Sequence, residues 1–123
     1  MVKQISREEL LEMATLGKKF KLVDVLDKEH FEKEHIKGAI SLPLDEIEKK
    51  AKRLLKKDET IVVYCASFEC QASTKAAEKL LLLGYKNVLD YKGGLKDYKE
   101  ANLPLEGSLC EAASGVANTC SCG

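Results

Sequence analysis

The chain has 123 residues, of which 45% are hydrophobic and 33% charged, enough for one domain with a hydrophobic core. Its 20 basic and 20 acidic side chains cancel, so the composition gives no reason to expect nucleic acid or an anionic membrane as partner. The first residues lack the apolar segment of a signal peptide, and no apolar run approaches the roughly 20 residues of a membrane span.

The helix and strand signals begin near the N-terminus. Ser6 with Glu9 three residues later has the pattern of a capping box, which predicts a helix that runs to about residue 16 and ends at Gly17. The next apolar run, residues 21–25, predicts a strand with Asp24 near its end. A carboxylate in this position is either hydrogen-bonded structurally or part of a site, and the structural role is the commoner one.

The remaining apolar runs alternate between strand-like and helix-like spacing. Strands are predicted at 39–42, 61–64 and 87–90, and helices at 27–34, 43–55, 71–83 and 95–101. The residues expected to be buried in two of these helices are Leu44, Ile47, Ala51, Leu54 and Leu55 in the first, and Ala72, Ala76, Leu80 and Leu83 in the second. Alternation of this kind indicates an α/β domain with a parallel sheet covered on both faces.

The composition changes near Gly107, where Ser, Ala, Gly and Cys replace the apolar pattern. We therefore predict a domain over residues 1–106 and a flexible, cysteine-containing tail over 107–123. The tail carries Cys110, Cys120 and Cys122, whose spacing lacks the paired C-x-x-C of a structural zinc site, so no metal site and no cofactor are predicted.

The five cysteines are not spread like a disulfide framework, because Cys65 and Cys70 lie together and the other three fall in the tail. Free thiols in a reducing compartment, the cytoplasm, are the expectation. Cys65 ends a predicted buried strand, the position at which parallel sheets bind ligands. The amides of the following loop and helix would point at its sulfur, lower its pKa and make it a nucleophile. Alternatively, Cys65 is a small buried hydrophobe.

A family resemblance rests on five ordered pieces of sequence at characteristic spacings. The pieces are Leu22-Val23-Asp24-Val25, residues 34–40, residues 61–65, residues 76–88 and Gly93-Gly94-Leu95. Over about residues 5–104 the chain resembles single-domain rhodanese-like sulfurtransferases. The resemblance implies a three-layer domain with a five-stranded parallel sheet and helices on both faces. It favours Cys65 as a nucleophile that takes sulfane sulfur from a persulfide or thiosulfate and passes it to a thiol acceptor, and it implies structural roles for Asp24 and His35.

The segment after Cys65 departs from that family. It is the candidate substrate-binding loop and consists of Ala66, Ser67, Phe68, Glu69, Cys70 and Gln71. The loop lacks the family's arginine, and Glu69 would raise the pKa of the thiol and repel an anionic donor, so ordinary thiosulfate activity is not expected. A neutral or protein-borne persulfide suits Phe68 better. Gln71 stands where phosphatases with this fold need an arginine, which argues against phosphatase activity.

Cys70 leaves alternatives open. It is a candidate resolving thiol, able to close a disulfide with Cys65, to release sulfide from a Cys65 persulfide or to protect Cys65 from overoxidation. Otherwise it points into the core at the start of the helix. Three functions follow: a sulfurtransferase, a thiol–disulfide or oxyanion reductase that uses Cys65 with Cys70, and a non-catalytic interaction module. The tail cysteines are further candidate sulfur acceptors.

Overall fold

The computed structural model describes residues 2–108. The predicted tail, with its three cysteines, falls almost entirely on residues 109–123, outside the described residues. In chain order the elements are β1 (Lys3–Ile5), α1 (Arg7–Thr15), β2 (Lys21–Asp24), α2 (Lys28–Lys33), β3 (His35–Ile36), β4 (Ile40–Ser41), a 3-10 turn (Leu44–Glu46), α3 (Ile47–Leu54), β5 (Thr60–Tyr64), α4 (Ala72–Leu82), β6 (Asn87–Tyr91), α5 (Gly94–Glu100) and β7 (Leu105–Glu106).

The main sheet has five parallel strands in the order β1-β6-β5-β2-β4. The central strand β5 pairs with β2 on one side and β6 on the other, and its residues 61–64 are fully buried. One face packs against α3 and α4, and the other against α1 and α5. The predicted α/β class, with a five-stranded parallel sheet and helices on both faces, is confirmed.

Two pairings had no signal in the hydrophobic pattern. Strand β1 is polar apart from Ile5 and lies at the edge of the sheet beside β6, so it shows no apolar run. A second, two-stranded antiparallel sheet joins β3 to β7, with Ile36 opposite Leu105. Strands of two residues whose partners lie so far apart in the chain are too short for a periodicity to register.

The capping box predicted at the first helix is present. Ser6 Oγ accepts from the Glu9 amide at 3.1 Å, and the Ser6 amide donates to Glu9 Oε1 at 2.9 Å. The helix ends with Leu16 as C-cap, and Gly17 follows with a φ of +73°. A positive φ at this position is the usual helix stop for glycine.

The predicted core positions of α3 and α4 are buried except at the helix ends. The buried ones are Ile47, Ala51, Leu55, Ala76 and Leu80, while Leu44 and Ala72 are half-buried. Leu54 and Leu83 are each 39% exposed, so their prediction as core was wrong. Leu54 is the last residue of α3 and Leu83 the C-cap of α4, and there the backbone leaves the helical spacing that the prediction assumes. Within residues 2–108, no helix combines the length and apolarity needed to cross a bilayer.

Tyr64 joins the central strand to the small antiparallel sheet. Its ring is fully buried, and its hydroxyl accepts a hydrogen bond of 2.9 Å from the Ile36 amide. Beside it, Asp24 Oδ1 accepts from the Leu26 amide at 2.9 Å. Burial raises the pKa of Asp24, against the lowering effect of the Leu26 amide and the Tyr64 hydroxyl.

We expect Tyr64→Phe to lower the free energy of unfolding by about 1–3 kcal/mol, because it leaves the buried Ile36 amide without an acceptor. Tyr85→Phe is the matched control: this ring is also buried, and its contact with Lys57 is to the ring face, which phenylalanine keeps. Its effect should stay below about 0.5 kcal/mol. Urea unfolding measures both, and equal losses would contradict the role given to the Tyr64 hydroxyl.

Candidate active site

Cys65 follows β5 directly and lies at the carboxyl end of the central strand. Its side chain is fully buried in the core cluster that faces α3 and α4. Residues 66–71 form the loop that leads to the first turn of α4. The topology therefore places Cys65 where the sequence predicted it, at the edge of the sheet where ligands bind in parallel α/β folds.

The start of α5 holds this loop by its backbone. The Leu95 amide donates to the Cys65 carbonyl oxygen at 2.9 Å, and the Lys96 amide donates to the Ala66 carbonyl oxygen at 2.8 Å. The approach requires glycine at position 94, because a Cβ there would lie 2.4 Å from the Cys65 carbonyl oxygen and the φ is +66°. The Gly93-Gly94 pair is thus part of the support of the loop.

The Cys65 thiol has oxygen atoms as its nearest polar partners. Its Sγ lies 3.3 Å from the Cys70 carbonyl oxygen and 3.5 Å from Ser73 Oγ. Burial raises the pKa of Cys65, and the neighbouring Cys70 thiol raises it further, while the Ser73 hydroxyl and amide act in the opposite direction. The net pKa of Cys65 is therefore raised, where a lowered one was expected; of the expected amides, that of Ser73 at the start of α4 does lower it, but burial outweighs it.

Cys70 is the thiol on which the donors of the loop converge. A hydrogen bond of 3.1 Å from its amide to the Ser67 carbonyl oxygen closes a turn that folds the residue back toward Cys65. Its partial burial opposes ionisation, but the Cys65 thiol and the amides of Ala66 and Ala72 donate to its sulfur and lower the pKa of Cys70. The pKa values of the two thiols are therefore displaced in opposite directions, that of Cys70 downward and that of Cys65 upward.

Lys92 supplies a positive charge that the loop itself lacks. Its Nζ donates to the Cys70 carbonyl oxygen at 2.6 Å, and its charge contributes to the lowered pKa of the Cys70 thiol. The sequence interpretation missed Lys92, because it lies far from the loop in the chain. Its position could have been predicted: Lys92 follows β6 as Cys65 follows β5, and Tyr64 pairs with Tyr91 in register. Residues that follow paired parallel strands emerge side by side.

Two further polar residues near the loop were also missed. Ser73 is fully buried and presents its hydroxyl to Cys65. Asp90, on β6, is fully buried and accepts a hydrogen bond of 2.8 Å from Thr74, which ties the first turn of α4 to the sheet.

The outer part of the loop faces solvent. Phe68 is 64% exposed, Glu69 is exposed, and with Ser67, Lys96 and Glu100 among the other lining residues they border a shallow depression of about 140 Å³. Gln71 is exposed at the N-cap of α4 and makes no side-chain capping bond. Glu69 was expected to raise the pKa of Cys65. The causes that raise it are burial, first, and the Cys70 thiol.

Asp24 and His35 lie away from the two thiols. Val23 and Val25 share the core cluster of Cys65, so Asp24 between them points to the opposite face of the sheet, toward Tyr64. His35 stacks on the Phe31 ring at 3.8 Å, and its Nδ1 lies 2.7 Å from the Phe31 carbonyl oxygen. These contacts agree with structural roles. Among residues 2–108, no three His, Cys, Asp or Glu side chains come together as metal ligands.

The residues of this site lie within a segment that matches a known protein family. The family model of the rhodanese-like domain matches residues 6–101, which includes the thiol pair, its loop and all of α5. The chain belongs to the rhodanese-like family. The rhodanese-like fold extends to solved structures: a protein of Bacillus halodurans, BH2092, superimposes with a TM-score of 0.80 at 31% identity, over 87% of this chain and 78% of that one.

Two curated relatives carry sulfur-related names. The thiosulfate sulfurtransferase PspE of Escherichia coli is 38% identical over 61% of this rhodanese-like chain and 70% of its own length. The putative sulfur carrier protein YrkF of Bacillus subtilis is 30% identical over 79% of this chain, and the match spans only 51% of YrkF, about half its length. The identities are modest, so the family is shared while the reaction of each relative is its own.

The close approach of Gly94 to the Cys65 carbonyl oxygen predicts that alanine at Gly94 costs more stability than alanine at Gly17. Gly94→Ala should lower the free energy of unfolding by on the order of 3 kcal/mol, because the new Cβ meets the Cys65 carbonyl oxygen in a positive-φ backbone. Gly17→Ala is the control, with a similar φ of +73° and nothing within 4 Å, and should cost about 1 kcal/mol. Urea unfolding compares them, and equal losses would show that the close approach does not matter.

The opposite shifts of the two thiols predict which one reacts first. At pH 7, iodoacetamide should modify Cys70 ahead of Cys65, because the thiolate is the reactive form; Cys65 should follow only as the pH rises past an ordinary thiol pKa of about 8.5. A protease that cuts after glutamate separates the two cysteines at Glu69, and mass spectrometry then reads each one.

Lys92→Met should slow the modification of Cys70 at pH 7 by about two- to fivefold, since loss of the ammonium group raises the pKa of that thiol. Lys86→Met, an exposed lysine at the other end of β6, is the control and should leave the rate unchanged. Faster labelling of Cys65 than of Cys70 in the unaltered chain would contradict this assignment of charge.

Proposed function

We propose that this rhodanese-like domain is a sulfurtransferase that carries sulfane sulfur as a persulfide of Cys65. The observation that supports it most directly is the position of Cys65, at the carboxyl end of the central strand and opposite Ser73 in the first turn of α4, within a matched family model. The similarity to PspE, which is named a thiosulfate sulfurtransferase, supports the same class of reaction.

The thiol pair supplies its own activation. When Cys70, whose pKa is lowered, is ionised, it takes the proton of Cys65 and leaves a Cys65 thiolate facing the Ser73 hydroxyl and amide. That thiolate attacks the outer sulfur of a donor persulfide, a new S–S bond forms, and the donor leaves as a thiolate. The leaving thiolate takes the proton from Cys70, so the pair returns to its starting charge with sulfur on Cys65. No separate general base is required.

The donor in this proposal is a persulfide of low charge, free or carried by a protein. The exposed Phe68 offers an apolar contact at the rim of the loop, and the loop itself contributes no cation. Lys92 is the cation nearest the reacting sulfurs, and its Nζ is engaged by the Cys70 carbonyl oxygen. Thiosulfate, a dianion, therefore finds one partly committed ammonium group in place of a bidentate arginine.

The acceptor is a thiol, and the compartment is part of the same proposal. Two free thiols this close in the chain and in the fold persist only where small thiols and dithiol proteins keep them reduced, and we therefore assign the chain to the cytoplasm. A second candidate function is thiol–disulfide reduction by Cys65 with Cys70. The 3.3 Å distance from the Cys65 Sγ to the Cys70 carbonyl oxygen and the opposite shifts of the two pKa values favour it.

The sulfur-carrier role is best tested where Cys70 cannot interfere. The Cys70→Ser chain, treated with cysteine persulfide and freed of donor, should hold one additional sulfur on Cys65, located after cleavage at Glu69, and release it to an added thiol. Cys65→Ser treated in the same way should deliver sulfur to the thiol at least about a hundredfold more slowly, because the carrier is gone.

Thiosulfate in place of the persulfide should load Cys65 more slowly, because the dianion lacks an arginine partner at the loop. Intact mass before and after a reductant gives the readout. The proposal is wrong if Cys70→Ser gains no reducible sulfur from either donor while it remains folded by circular dichroism.

A further inference from the structure

The loop brings a second sulfur against the carrier. Cys70 lies five positions after Cys65, and the turn closed by the Cys70 amide and the Ser67 carbonyl oxygen at 3.1 Å returns it to the first cysteine. The Cys65 Sγ is 3.3 Å from the Cys70 carbonyl oxygen, and the Cys70 thiol is near enough to raise the pKa of Cys65. Cys70 therefore lies beside Cys65 before any sulfur is loaded.

The surroundings of the second thiol favour its attacking form. The amides of Ala66 and Ala72 donate to the Cys70 sulfur and lower its pKa, and Lys92, whose Nζ donates to the Cys70 carbonyl oxygen at 2.6 Å, acts in the same direction. These groups increase the fraction of Cys70 that is thiolate at a given pH. A thiolate next to a disulfide-type sulfur is the reactant pair of thiol–disulfide exchange.

We propose that Cys70 discharges the sulfur-loaded form of Cys65, so that the loop releases sulfide and closes a disulfide between the two cysteines. The proposal rests on Cys65 being the sulfur carrier. It adds a second activity to the domain, the reduction of persulfides to sulfide, in which the Cys65–Cys70 pair supplies the two electrons. The two candidate functions, sulfur transfer and dithiol reduction, become successive steps at one site.

The release of sulfide is a single thiol–disulfide exchange in which every atom and electron is accounted for. The Cys70 thiolate attacks the inner sulfur, Cys65 Sγ; the bond between that sulfur and the outer one breaks, and the electron pair leaves on the outer sulfur as hydrosulfide. The outer sulfur is reduced, and the two cysteines are oxidised to a disulfide. A small thiol or a dithiol protein then reduces the disulfide and returns the pair to its thiol and thiolate. Per cycle, one persulfide and two thiols give one thiol, one sulfide and one external disulfide.

Whether the sulfur is transferred or released as sulfide depends on which group reaches the loaded Cys65 first, an external acceptor or Cys70. Cys65 is fully buried in the unloaded site, while the Cys70 carbonyl oxygen already lies 3.3 Å from its Sγ. An external acceptor must reach the loaded sulfur past the loop, whereas Cys70 attacks from within it. A well-docked acceptor would receive the sulfur, and in its absence the loop would empty itself as sulfide.

The test uses the full chain, treated with cysteine persulfide, separated rapidly from donor and kept without added thiol. We expect about one sulfide per chain and a product two hydrogens lighter than the starting protein, with a disulfide linking the two glutamate-bounded peptides of residues 60–69 and 70–78. In Cys70→Ser and Cys70→Ala, the sulfur should remain on Cys65 and sulfide release should fall at least about tenfold.

The three tail cysteines provide the matched control. A chain with Cys110, Cys120 and Cys122 all changed to serine should release sulfide like the unaltered chain. Loss of release in that chain, or release at the unaltered rate from Cys70→Ser and Cys70→Ala, overturns the proposal. A stable Cys65 persulfide in the unaltered chain overturns this inference alone, whereas a folded Cys70→Ser chain that never gains sulfur overturns the carrier role beneath it.

Discussion

The direction of one peptide unit controls the chemistry of the loop. The Cys65 carbonyl oxygen accepts from the Leu95 amide at the start of α5. In a trans peptide the carbonyl and the following N–H point in opposite directions, so this hydrogen bond turns the Ala66 amide toward the thiols. There it donates to the Cys70 sulfur. Gly94 makes the arrangement possible, because any side chain would block the approach of α5 to the Cys65 carbonyl oxygen.

The same constraint shifts the pKa values of the two cysteines in opposite directions. With the Ala66 amide directed at Cys70, the buried Cys65 has the Cys70 carbonyl oxygen and the Ser73 hydroxyl among its partners, and its pKa is raised. A loop with a single cysteine has only one sulfur to stabilise. Here the amides of Ala66 and Ala72 serve the Cys70 sulfur, and the pKa of each thiol depends on the other.

Hydrophobic spacing predicted four of the five sheet strands, the helices and the place of Cys65, because those features depend on burial along one segment at a time. Strand β1 and the pairing of β3 with β7 were not predictable, since their partners are distant in sequence and their residues largely polar. The direction of the pKa shift of Cys65 was predicted wrongly for a related reason. The pKa values of the two thiols depend on contacts of the loop with residues distant in sequence, namely peptide groups of α5 and Lys92, which follows β6.

The small antiparallel sheet continues the packed structure beyond the matched family segment. The matched family segment stops at residue 101, yet Leu105 lies buried opposite Ile36, and Gly107 fits against the Lys33 carbonyl oxygen where a Cβ would stand 2.4 Å away. Ile36 in turn hydrogen-bonds through its amide to Tyr64 on the central strand. Residues 102–107 thus hold β3 in place, and a fragment that ended at residue 101 would expose the apolar surface around Ile36 beside α2.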